Sequence, residues 1–207
     1  MTEGMPPPWG RNIFDGAEMT AVTLVDAWAG EVRRLVPEVH ELREWYVQGQ
    51  MRFDEGDEET LTEHQLYVGW IRLWAAQHHL VWAAYQLERW VARLARERGT
   101  TAPAIDPVLA DLRHALEHLD EAVLDDGGFM TPGERSRSLR RLPGARLQID
   151  TSHSLAFFDV IDAEDLERRA LSIMTTSDWL MQRAAEDWAE QQRPDEQGPA
   201  DEDGQVL

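Results

Sequence analysis

The chain has 207 residues, room for one domain and a tail but not for two full hydrophobic cores. It carries 39 acidic residues against 20 basic ones, a net charge of −19. That balance excludes a nucleic-acid binder of the ordinary kind, whose affinity comes from a broad basic surface that neutralises phosphates. Cysteine is absent, which excludes a disulfide framework, a thiolate metal site and a thiol nucleophile, and which suits a reducing, cytoplasmic setting.

The chain opens on an arm, residues 1–16, in which Glu3 and Pro6-Pro7-Pro8 stand where an export signal needs basic residues and then a continuous apolar run. A single helical domain is expected over residues 17–192. Its first helix spans residues 17–53, where Val22, Val25, Trp28, Val32, Leu35, Val36 and Val39 recur at three- and four-residue steps. Pro37 is expected to kink or split it. Residues 54–59 are almost all Asp and Glu and read as a solvated turn, after which Thr60 and Glu63 offer a capping box. The second helix, residues 61–97, is apolar around nearly its whole circumference and reads as the central helix, or as one covered partly by a second subunit. Gly69 is a candidate interruption, and Arg72, Gln77, Glu88 and Arg89 break its apolar runs well short of the ~20 residues a membrane span requires. A soluble protein with no membrane partner is expected.

A third helix is expected over residues 107–125, with Pro107 at its first turn, Gly127-Gly128 beyond its end, and a narrow apolar stripe of Leu109, Leu112, Leu116, Leu119 and Val123. Residues 146–150 and 155–158 are short and turn-bounded enough to form a small β-hairpin. Asp162 then caps a last helix over residues 163–191, and residues 193–207 read as an acidic, disordered tail with almost nothing to bury. The fold class is therefore mainly α, a bundle of four to five helices with a small β-hairpin insertion between the last two. Most of the nine tryptophans fall at core-like helical positions and read as packing, with Trp9 and Trp188 the exceptions.

Chemistry concentrates on the third helix, in Arg113-His114-Ala115-Leu116-Glu117-His118. His114 and His118 stand four apart, the spacing that puts two imidazoles on one helical face, and Asp111 lies on the same side. With His78, His79 or Glu63 from the neighbouring helix they would make a mixed metal site, so Asp111, His114 and His118 are the alternative metal-ligand set. Arginine and histidine together also suit metal-independent RNA cleavage. The cation stabilises a phosphorane-like transition state and the imidazole moves the 2′-hydroxyl proton, with no cofactor required. Arg113 and His118 differ by about 140° around the axis. One copy therefore splays them apart, and a composite cleft needs two copies across a two-fold axis. The plain alternative is that Arg113 pairs with Glu117 one turn on and His118 is merely exposed. Arg135, Arg137, Arg140, Arg141 and Arg146 form the only basic cluster in the chain; it would guide RNA to the motif helix or bind the protein's own acidic face.

The run from Asp111 to Asp120 resembles the R-x4-6-H motif of the HEPN superfamily in its tighter form, with a polar residue directly after the arginine. Other Arg/His pairs in the chain satisfy the loose spacing, but Arg113 is the one followed by a histidine inside a capped helix. The resemblance implies a small helical bundle that dimerises through its motif helices and, in many members, a metal-independent endoribonuclease of toxin, phage-defence or RNA-processing systems. On that footing Arg113 and His118 are catalytic and His114 is the polar companion that orients the site or contacts RNA. A homodimer, an RNA substrate and a protein partner such as an antitoxin are the implied associations. Toxin members regulated by tyrosine adenylylation carry a tyrosine two positions after the histidine; here Leu119-Asp120 follow, which puts that regulation in doubt. A catalytically silent HEPN-like interaction module is the alternative that the acidic charge favours.

Overall fold

Two long antiparallel helices form the frame. Helix α1 runs Ala17–Asp54 and α2 runs Glu63–Glu97. The computed structural model describes residues 16–56, 61–125, 128–148, 158 and 160–174. The arm through residue 15, the tail at 193–207, residues 175–191 of the last expected helix, Trp9 and Trp188 lie outside the described residues.

Pro37 neither splits nor ends α1, which continues through it. Its ring lies on the exposed side, where water can satisfy the carbonyl that loses its partner, while buried Leu35, Val36 and Val39 hold the turns around it against the core. The cap of α2 sits two residues later than Thr60. The Thr62 hydroxyl accepts the Gln65 N–H at 3.3 Å, and the Gln65 side-chain oxygen accepts the Thr62 N–H at 2.9 Å. Gly69 does not interrupt α2 either. It is the place where the indole of Trp45 of α1 brings its edge against the α2 backbone, and a Cβ there would overlap Cζ3 of the ring. Small residues recur along the same helix, with Ala76, Ala83 and Ala84 all buried. They let the two backbones approach and leave room for Val25, Val32, Leu35 and Val39.

Helix α3, Pro107–Glu117, packs on α2 through Leu109, Leu112, Ala115 and Leu116. Asp106 caps it, its Oδ1 accepting the N–H groups of Val108 (2.8 Å) and Leu109 (3.4 Å). It ends eight residues before the expected boundary. His118 leaves the helical region (φ −115°, ψ 32°), a 3₁₀ turn follows at Leu119–Glu121, and strand β1 takes Val123–Leu124. The apolar period continues through Val123, but strand pairing claims that stretch. Val123 and Leu124 pair antiparallel with Thr131 and Met130 of β2 (Phe129–Thr131), and β2 pairs in turn with β3 (Leu147–Gln148). The small sheet therefore has three strands in the order β1-β2-β3. Of the expected hairpin, the first strand is found as β3, but β2 is its partner. Residues 155–157 are outside the described set, and Phe158 is a buried turn residue.

A fourth helix, α4, occupies 163–174, the last described residues, and buries Ala163, Leu166 and Ala170 in the core shared with Leu139, Leu142, Leu147 and Phe158. The protein is thus mainly helical, with a small antiparallel sheet between its third and fourth helices. No helix among the described residues is long and apolar enough to cross a membrane.

The Trp45 contact sets two opposite expectations for glycine replacement. Gly69→Val forces the indole off α2 and lowers the unfolding free energy by about 1–3 kcal/mol. Gly30→Ala, whose Cβ meets nothing within 4 Å, raises it by about 0.5–1 kcal/mol through helix propensity alone. Urea unfolding of the two variants beside the parent checks both signs.

Candidate functional site

The short α3 and the turns after it bring two sequence-distant groups together. His114 and His118 face a loop carrying Arg135, Ser136, Arg137 and Ser138, and with Glu121 and Leu139 these residues enclose a half-open cavity of about 280 Å³. The loop is fastened at several points. The Ser136 hydroxyl donates to the Glu121 carbonyl at 3.0 Å. Gly133 packs so close to that same carbonyl that a Cβ would overlap it. Arg140 turns its guanidinium inward and donates to the carbonyls of Gly133 (2.9 Å) and Glu134 (3.4 Å). Leu139 is buried beneath the loop. The backbone is therefore held by buried and main-chain contacts while the outward side chains remain available.

The five arginines of the basic cluster divide by role. Arg140 braces the loop, Arg141 reaches Asp111 (Nη1 to Oδ1, 3.4 Å), and Arg146 lies over the Phe129 ring at 4.4 Å. Arg135 and Arg137 are exposed, line the cavity and make no ion pair with any described residue. His114 (46% exposed) and His118 (60%) stand across from them. Glu121 is the single carboxylate on the cavity wall, its Oε1 3.8 Å from His118 Nδ1. Two guanidiniums and two imidazoles against one carboxylate make an anion-seeking pocket in a molecule of charge −19.

Arg113 is not part of that pocket. Its guanidinium lies over the rings of Trp82 (4.8 Å) and Tyr85 (5.2 Å) on α2 and pairs with Glu117, leaving the side chain 16% exposed. The Nε of Arg113 is buried without a partner, the cost of fitting a planar cation under α3. Arg113 and His118 thus point to different surroundings within one chain. One link to the pocket remains: Nη1 of Arg113 lies 3.3 Å from Nδ1 of His114. That Nδ1 also lies 3.7 Å from Oε2 of Glu117; an arginine has only hydrogens to offer, so where it bonds Nδ1 a neutral His114 carries its proton on Nε2.

The alternative metal set is not assembled. Asp111 turns to Arg141, His78 stacks with Trp74 at 5.4 Å, and His79 lies 3.5 Å from Glu31. Among the described residues no group of three or more His, Cys, Asp or Glu side chains could hold a metal ion. The sequence offers both imidazoles and both guanidiniums of the cavity, and sets the arginine cluster beside the motif helix as a guide for RNA, but it gives Ser136, Ser138 and Glu121 no role. The signal for them is Gly133, two turns of chain before Leu139, where a close backbone approach brings the loop to the end of α3.

No protein-family model matches the chain, and neither a curated protein nor a solved structure does.

Two outcomes follow from this geometry. Arg113→Met removes the stacked cation and the arginine partner of Glu117, so stability falls by about 1–3 kcal/mol. Arg113→Lys does not restore it, because a compact ammonium cannot stack as a plane on two rings; chemical denaturation of both variants tests this. Burial beside Trp74 pushes the His78 imidazole below its ordinary 6.5, against a smaller raising effect of Glu117. Below pH 6.5 the unfolded chain therefore binds that proton more readily than the folded one. Stability due to neutral His78 is intact above 6.5 and is lost as pH falls towards the depressed folded value. Removing the imidazole in His78→Gln should flatten this part of the pH–stability curve.

Proposed function

We propose that the chain is a HEPN-like, metal-independent endoribonuclease whose reaction centre is the cavity beneath the end of α3. The observation that carries this reading is the convergence of both motif histidines with Arg135 and Arg137 on one open pocket. The roles differ from those the motif alone implies. Arg135 and Arg137 meet the phosphate and the extra charge of the phosphorane-like transition state. His114, kept with its proton on Nε2 by Arg113, donates a hydrogen bond to a non-bridging oxygen. His118 is the proton-transfer group, being the more exposed imidazole and the one not tied to Arg113.

In the reaction His118 takes the 2′-hydroxyl proton and O2′ forms a bond to phosphorus. The P–O5′ bond breaks with its electron pair going to O5′, and the proton reaches O5′ through solvent at the open mouth. The products are a 2′,3′-cyclic phosphate and a 5′-hydroxyl, with no net gain or loss of protons. Arg113 acts as a positioning residue through His114. Because the two guanidiniums and two imidazoles of the pocket come from one chain, this chemistry does not depend on a second copy supplying Arg113. The setting in this reading is a cytoplasmic toxin or phage-defence system, with a homodimer and a protein antitoxin as associations.

A second reading, a non-catalytic interaction module, has one observation in its favour. Tyr67 (58% exposed) and Ile71 (41%) lie one turn apart on α2 beside half-buried Trp70 and Trp74, an apolar face without a cover among the described residues.

Incubation of the purified chain with end-labelled RNA in the presence of a chelator separates the two. Cleavage is expected, falling about 10²–10⁴-fold in His118→Ala. In the Arg135→Ala/Arg137→Ala double variant, RNA binding weakens and the slope of log affinity against log salt drops by about 2. RNA left uncut, or cut equally well by His118→Ala, sinks the nuclease reading and leaves the interaction module.

A further inference from the structure

A second cavity, of about 500 Å³, lies where α1, α2 and α4 meet and shares no residue with the pocket beneath α3. Its walls are apolar: Val32 from α1, Ala84, Leu87 and Val91 from α2, and Leu166 and Ile173 from α4. Ala104, in the linker before α3, forms part of the rim. One end is closed by a clasp of charged groups. Glu88 of α2 accepts the Asp106 N–H at 2.7 Å and an Arg169 N–H at 3.1 Å, one on each carboxylate oxygen. Arg169 also reaches Asp106 (3.0 Å) and Asp165 (2.5 Å), and Arg168 pairs with Asp165 (2.7 Å).

Two properties of this cavity define an occupant. Its volume falls within the range of small-molecule sites, and a mostly apolar wall with a few convergent polar groups at one end is the usual anatomy of such a site. The clasp itself sets the charge. Both guanidiniums, Arg168 and Arg169, are already engaged by carboxylates, and Glu88 already holds a guanidinium. A charged ligand at the inner end would compete with the pairs that Arg169 makes to Glu88, Asp106 and Asp165, all partly buried carboxylates. What the clasp still offers is a second lone pair on each Glu88 oxygen, which accepts a hydrogen bond from a hydroxyl without disturbing the pairs. Burial raises the Glu88 carboxyl above its ordinary range, outweighing the Asp106 N–H and Arg169; this too disfavours additional negative charge beside it.

We propose that this cavity is a binding site for an uncharged, mainly hydrocarbon molecule that places a hydroxyl against Glu88. The test uses the full chain and the uncharged fluorescent probe N-phenyl-1-naphthylamine. Saturable one-to-one uptake is expected, displaced by decanol at least tenfold more effectively than by decanoate or decylammonium. Ala104→Trp at the rim and Ile173→Trp in the wall should each weaken uptake at least tenfold while leaving the thermal midpoint near that of the parent. Ala104 is exposed, so its variant remains informative if the wall variant unfolds. The proposal is overturned by absence of saturable uptake, as when another part of the chain or a second copy fills the cavity. It is also overturned by uptake indifferent to Ala104→Trp, or by charged competitors matching decanol. These outcomes are read from probe uptake and the cleavage assay from RNA, at cavities with no lining residue in common, so the failure of one reading is distinguishable from the failure of the other.

Discussion

Helices α1, α3 and α4 are each positioned against α2, because this helix has neighbours on more than one side. The close seam with α1 takes Gly69, Ala76, Ala83 and Ala84. Trp82 and Tyr85 receive Arg113 from α3, and Glu88 receives Arg169 from α4. Each neighbour demands a different residue class, small for backbone approach, aromatic for a cation, acidic for a guanidinium. An all-round apolar pattern is what remains when those demands are written on one helix.

Arg113 shows how a residue that a sequence motif suggests for chemistry is taken up instead by packing. A guanidinium stacked on two aromatic rings and paired with Glu117 is a firm anchor for a helix of only eleven residues. Such a short helix has little stability of its own and depends on docking. Using the arginine as an anchor moves the free cations of the pocket to Arg135 and Arg137, which belong to a loop held by Gly133, Ser136 and Arg140. The basic cluster is thereby split into bracing and displayed members, a division that depends on which carbonyls the fold brings within reach.

The helices were legible because periodicity reports burial directly, and the long α1 and α2 follow it to within a few residues. What periodicity could not show was the end of α3. Leu119 and Val123 keep the helical step, yet pairing of Val123 and Leu124 with β2 outweighs it. The average behaviour of proline and glycine points to breaks at Pro37 and Gly69, whereas in the fold one is exposed and the other meets the edge of an indole. The strand partner of β3 was misjudged for a related reason, since β2 is only three residues long and its flanking glycines suggest a loop. Gln77 is the converse case. It is polar in sequence but fully buried, with both amide atoms lacking a partner, a cost of about 1–3 kcal/mol that no local pattern announces. At the site, the spacing of His114 and His118 put them on one face, but their meeting with Arg135 and Arg137 rests on tertiary contacts around Gly133 and Ser136.

Asp106 is both the cap of α3 and one arm of an ion cluster. Those two duties fasten the start of α3 to the apolar cavity. The helix is a rod about 16 Å long, with Asp106 holding one end in the clasp beside the apolar cavity while His114 and His118 occupy the other. One helix thus borders both sites, the clasp at its N-terminal end and the imidazole-lined cavity at its C-terminal end. Thermodynamic reciprocity then applies to the two cavities: any free energy by which filling one alters the affinity of the other must act with equal size in the opposite direction.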